Sequence, residues 1–99
     1  MKRTQKDLAF IYHLPEATTL EALETYFFSS RAVFLTYGDK VLMANYFYNG
    51  KPKNPNNYYG AIYEFTTEDH GIEGEIRLAK ISEELFLDNG TAIRWGMEA

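Results

Sequence analysis

A chain of 99 residues with 45% hydrophobic and 16% aromatic side chains has enough apolar mass for one core and too little for two, so a single globular domain spanning residues 1–99 is expected. It contains no cysteine, which excludes a disulfide framework, a thiolate zinc site and a thiol nucleophile, and leaves the cytoplasm as the default compartment. The net charge of −4 is unevenly placed: residues 1–60 carry seven Lys/Arg against five Asp/Glu, residues 61–99 three against nine, and such an acidic chain repels the phosphates of duplex nucleic acid.

The N-terminus is basic but leads into only a short apolar run from Leu8 to Leu14, interrupted by His13 and closed by Pro15. This is too short and too polar for a signal peptide or a membrane span, and its spacing fits either a strand or a helix. The clearest helix is expected from residue 18 to about residue 30. Thr18 and Glu21 have capping-box spacing, and Leu20, Leu23 and Phe27 form its buried stripe.

Beyond Ser30 the apolar period changes to two. Residues 32–37 and 40–48 form a hairpin about Tyr37-Gly38-Asp39-Lys40, with Gly38 supplying the positive φ. Residues 49–57 hold two prolines, a glycine and four asparagines and read as an exposed loop. A strand over 58–66 places Tyr59, Ala61, Tyr63 and Phe65 on one face, and one over 72–80 turns Ile72, Ile76 and Leu78 inward with Glu73, Glu75 and Arg77 in water. Near the C-terminus Asn89-Gly90 lies between apolar runs, which predicts a further hairpin; the rival reading starts a short helix at Ser82. The expected fold is therefore α+β: a single antiparallel sheet of five to seven hairpin-connected strands packed by one main helix.

The segment Thr4-Gln5-Lys6-Asp7-Leu8-Ala9 followed by Pro15-Glu16-Ala17-Thr18-Thr19-Leu20 resembles the helix-turn-helix of the Cro/repressor family of transcription factors. The resemblance covers about a fifth of the chain and implies a DNA-associated regulator. It departs from the family at His13, which stands where the turn glycine is expected, and at Glu21 and Glu24, whose carboxylates would face phosphates on the recognition helix.

No catalytic arrangement stands out, so an enzyme is not expected, nor a cofactor or metal. His13 and His70 are isolated from each other in sequence, and His70 lies in the acidic turn Thr67-Glu68-Asp69-His70. Glu73 and Glu75 share a face at strand spacing, as a glycosidase pair would, but alternate as any solvated strand does. The feature furthest from background is the tyrosine set Tyr46, Tyr48, Tyr58, Tyr59 and Tyr63 around Lys51 and Lys53. Tyr joins large apolar area to a polar tip at small entropy cost, as interfaces favour. With Glu64, Glu68, Asp69, Glu73 and Glu75 steering a basic partner, the expectation is a small acidic protein-binding module, an inhibitor of the immunity, antitoxin or phage anti-defence kind. Two alternatives stand beside it: a sheet that stacks single-stranded nucleic acid on these rings, and the helix-turn-helix regulator. Unpaired strand edges also make a homodimer possible.

Overall fold

The computed structural model describes residues 3–47, 56–66 and 74–99. The first element is a helix, α1 (Gln5–Tyr12), and its start is written in the sequence: Asp7 N–H donates to Thr4 Oγ1 and Thr4 N–H donates to Asp7 Oδ2, each at 3.1 Å. This reciprocal capping box satisfies two backbone donors that the first turn would otherwise leave open. The helix ends at His13, the one non-glycine residue with positive φ among the described residues (φ 59°, ψ 43°). His13 N–H donates to Phe10 O at 3.2 Å and Leu14 N–H to Ala9 O at 2.9 Å, the paired bonds by which a left-handed residue closes a helix. His13 thus adopts the conformation of the glycine whose place it takes in the helix-turn-helix resemblance.

The resemblance ends there. Ala17–Thr19 forms a short strand, β1, and the next helix, α2 (Leu20–Tyr26), begins only after it. The expected helix is accordingly shorter at both ends. Its cap is Thr19, the last residue of β1, whose hydroxyl accepts from Ala22 N–H at 3.1 Å; Thr18 lies one residue too early, opposite Ile76. Leu23 is buried, and Leu20 and Phe27 pack against the same core as expected.

Four more strands follow: β2 (Val33–Tyr37), β3 (Lys40–Tyr46), β4 (Tyr58–Phe65) and β5 (Glu75–Ile81). Among the described residues the five strands form one antiparallel sheet in the order β1-β5-β4-β3-β2. The β2–β3 hairpin turns where expected, with Gly38 at φ 63°. In β5 a bulge intervenes: Ile62 pairs with Lys80 but Tyr63 with Leu78, so Ala79 is an extra residue. The bulge resets the alternation, and Ile76 and Ile81 both reach the core although residues five apart would face opposite sides of a regular strand. Ile72 lies outside the described residues.

The C-terminal segment overturns both expectations for it. Neither a hairpin at Asn89-Gly90 nor a helix from Ser82 forms; a third helix, α3 (Asn89–Glu98), is capped by Asp88, whose Oδ1 accepts from Thr91 N–H and Thr91 Oγ1, each at 2.8 Å. Ser82 is instead buried beside β4, where its hydroxyl accepts from Gly60 N–H at 3.0 Å and donates to Glu84 O at 2.9 Å. The sheet is therefore covered on two faces rather than one. Leu8, Tyr12, Leu14 and Leu23 of the α1–α2 region pack on Val41, Met43, Tyr59, Ala61, Tyr63 and Ile76. On the other face α3 lies over β3 and β4, close enough that a Cβ on Gly60 would stand 2.7 Å from Trp95 Cε3 and one on Gly96 3.1 Å from Leu42 Cδ2.

Candidate functional site

The four described tyrosines of the expected set, Tyr46, Tyr58, Tyr59 and Tyr63, do not form a common surface. Tyr46 and Tyr58 are cross-strand partners whose half-buried rings meet edge to face at 5.4 Å, with the Arg31 guanidinium 5.0 Å over the Tyr46 ring. Tyr59 and Tyr63 are core residues, 2% and 0% exposed, and no partner can reach them. Tyr59 stacks on Tyr12 with centroids 3.9 Å apart and an interplanar angle of 3°, and Asn45 Nδ2 donates to its hydroxyl at 3.4 Å. Tyr63 donates from its hydroxyl to Pro15 O at 2.8 Å. Burial pushes the ionisation of both phenols well above the ordinary tyrosine range. Alternation along β4 correctly grouped these rings on one face, but that face is the one roofed by α1 and α2.

Of the expected acidic residues, Glu64 and Glu75 are exposed. Glu64 sits between cross-strand cations, opposite Lys40 on β3 and Arg77 on β5, so its charge is locally balanced. Tyr48, Glu68, Asp69 and Glu73, together with Lys51, Lys53 and His70, lie outside the described residues. Among the described residues no three His, Cys, Asp or Glu side chains gather where they could hold a metal ion, and no helix is long and apolar enough to cross a membrane.

The fold presents exposed aromatic rings at Tyr37 on β2, at Phe28 just beyond α2, and as a facing pair on the two N-terminal helices. Leu8 and Tyr12 turn inward from α1 at a spacing of four, which leaves Phe10 on the opposite side, 81% exposed. On α2, Leu23 turns inward and Tyr26 stands 64% exposed. Between the two helices runs a groove of about 510 Å³, walled by Phe10, His13, Pro15, Ala22 and Tyr26 over buried Leu23. A second depression of about 450 Å³ adjoins it through Ala22 and Tyr26 and reaches Glu21. Glu16, Glu21 and Glu24 are all exposed in this region. An aromatic pair held in water beside an apolar trough is the feature by which surfaces that bind differ from surfaces that do not. The sequence signal for it was present but hard to weigh: Phe10 lies two residues from buried Leu8 and Tyr12, Tyr26 three from buried Leu23, and only the docking of α1 and α2 on the sheet decides which side of each helix is covered.

The molecule is thus an α+β protein with an open five-stranded antiparallel sheet, helices on two faces, and an aromatic groove between the two helices of one of them. Residues 14–99 match the nucleotide modification associated domain 4 family, and the chain belongs to that family. The match takes in α2 and the whole sheet; α1, which carries Phe10, precedes it. No curated protein and no solved structure matches the chain.

Proposed function

We propose that this chain is a protein-binding accessory module of a nucleotide-modification system, acting by docking and not by catalysis, and that the α1–α2 groove is its docking surface. The observation that carries the reading is the pair Phe10 and Tyr26, 81% and 64% exposed on the two walls of one apolar trough. Large exposed rings contribute strongly to association because they bury much apolar area while losing few rotamers. The occupant favoured is a basic protein segment with an apolar anchor, since Glu21 lines the adjoining depression, Glu16 and Glu24 are exposed next to groove residues in the chain, and opposite charge speeds encounter and rejects wrong partners. Family membership supplies the context of nucleotide modification. Within it, the exposed carboxylates near the groove suit an inhibitor of the phage or mobile-element anti-defence kind, which would act in the cytoplasm by masking a basic surface of its target.

The test is affinity capture with the tagged full chain from host lysate split into nuclease-treated and untreated halves, beside the double variant Phe10→Ala, Tyr26→Ala and the paired control Tyr46→Ala. The expected result is a basic protein retained by wild type and by the control, with affinity more than about tenfold weaker for the double variant if both rings are anchors. Equal retention by all three would remove the groove from the reading. Recovery of nucleic acid alone, lost on nuclease treatment, would favour strand binding near Arg31 and Tyr46 instead.

A further inference from the structure

The opposite edge of the molecule carries a second, independent signal. Among the described residues β2 is the last strand of the sheet and pairs only with β3. Its sequence, Val33-Phe34-Leu35-Thr36-Tyr37, has none of the charges, prolines or glycines with which natural edge strands discourage further pairing. Val33, Leu35 and Tyr37 are 39%, 38% and 48% exposed. Their cross-strand partners are Ala44, Leu42 and Lys40, and Leu42 lies against Gly96 of α3, so all three point to the face that α3 occupies. α3 lies over β3 and β4, and the three side chains remain open beside it.

We propose that the β2 edge pairs antiparallel with the β2 edge of a second copy of this chain, about a two-fold axis at Leu35, making one continuous sheet across a homodimer. Among two-fold registers this one pairs all five residues. It sets Val33 opposite the second copy's Tyr37 and Leu35 opposite its own equivalent, apolar cross-strand pairs of the kind that stabilise sheets. It also brings charges of opposite sign together at both ends: Arg31 precedes the strand, Asp39 follows it in the hairpin turn, and both are exposed. With the axis at Leu35, Arg31 of each copy meets Asp39 of the other. Moving the axis to any other residue of the strand shortens the paired stretch and separates these charges. The axis is perpendicular to the sheet, so both α3 helices fall on one side and the half-exposed Val33, Leu35 and Tyr37 of the two copies line the valley between them.

Because the chain has no cysteine, single cysteines report on this register directly. Directly opposed residues of an antiparallel pair have Cα atoms about 4.5 to 5.5 Å apart, within disulfide reach, whereas residues offset by two positions fall beyond about 7 Å. Under mild oxidation Leu35→Cys is expected to give a covalent dimer on a non-reducing gel, at least about five times more than Thr36→Cys, whose equivalents are offset across the axis. In sedimentation equilibrium from about 1 µM to about 1 mM, the wild type is expected to approach twice the 11.5 kDa chain mass, and Leu35→Arg, which opposes two like charges at the axis, to remain at the mass of one chain with an unchanged circular dichroism spectrum. A wild type that stays monomeric throughout overturns the proposal, as does equal cross-linking of the two cysteine variants. A dimer untouched by Leu35→Arg places the interface elsewhere and overturns it as well. Should Leu35→Arg fail to fold, the cysteine pair decides alone.

Discussion

Asp88 shows how much one side chain can settle. Its carboxylate accepts from both the amide and the hydroxyl of Thr91, and these bonds, the backbone one foremost, hold its ionisation below the ordinary value near 3.8. A carboxyl group whose folded value is depressed adds stability that is present above its unfolded value and lost as pH falls through the folded one. Asn at the same position caps a helix nearly as well without titrating. The expected outcome is that wild type and Asp88→Asn differ in urea midpoint near neutral pH and converge as the pH is lowered past the ordinary aspartate range. A constant difference between them across that range would show that Asp88 does not stabilise through its charge. The same residue explains a sequence-level error. Asn89-Gly90 is the strongest short hairpin signal available, yet Asp88 three residues before Thr91 also has N-cap spacing, and the helix wins because Ala92 and Gly96 can then bury against the sheet.

At the scale of elements, α1 is tied to the sheet by an amide that behaves like a strand residue. Gln5 Nε2 donates to Ile81 O at 2.9 Å, and Ile81 N–H donates to Gln5 Oε1 at 2.6 Å. The side chain completes the backbone pairing at the end of β5, and it does so from the first turn of the helix that carries Phe10. Gln5→Ala is expected to cost about 1 to 2 kcal/mol, because it removes two bonds and strands a partly buried amide. Gln5→Glu, which keeps the acceptor for Ile81 N–H and loses the donor, should fall between the two. Denaturant titration of the three proteins checks the order, and an Ala variant as stable as wild type would mean that apolar contacts of Leu8 and Tyr12 alone hold the helix. Elements differed in how far they could be read in advance. The β2–β3 hairpin was legible because Gly38 and the flanking alternation are local. β1 was not, because Ala17, Thr18 and Thr19 become a strand only by pairing with Arg77, Ile76 and Glu75 nearly sixty residues away.

For the whole molecule, the decisive arrangement is helices on two faces of one sheet. α3 can approach β4 because Gly60 has no side chain: a Cβ there would stand 2.7 Å from Trp95 Cε3 and 3.0 Å from the Ala92 carbonyl oxygen. Gly60→Ala must push a helix backbone as well as a ring, and is expected to lose about 1 to 3 kcal/mol and to shift the emission of Trp95, the sole tryptophan. Gly90→Ala, whose nearest neighbour would be Asp88 Oδ1 at 3.5 Å, should leave both stability and emission close to wild type. If the two substitutions behave alike, close packing at Gly60 does not set the spacing between α3 and the sheet.

Features that depend on neighbours along the chain were legible in advance: the α+β class, the antiparallel strands β2, β3 and β4, the hairpin at Gly38, and the grouping of Tyr59, Ala61 and Tyr63 on one side of a strand. Which sides are covered was set by packing between distant segments. Alternation states that two residues share a face, but whether that face meets water or a helix depends on elements distant in sequence. Thus Tyr59 and Tyr63, expected at a partner surface, lie beneath α1 and α2, while Phe10 and Tyr26 take the exposed aromatic role because the helices that bear them can bury only one side each.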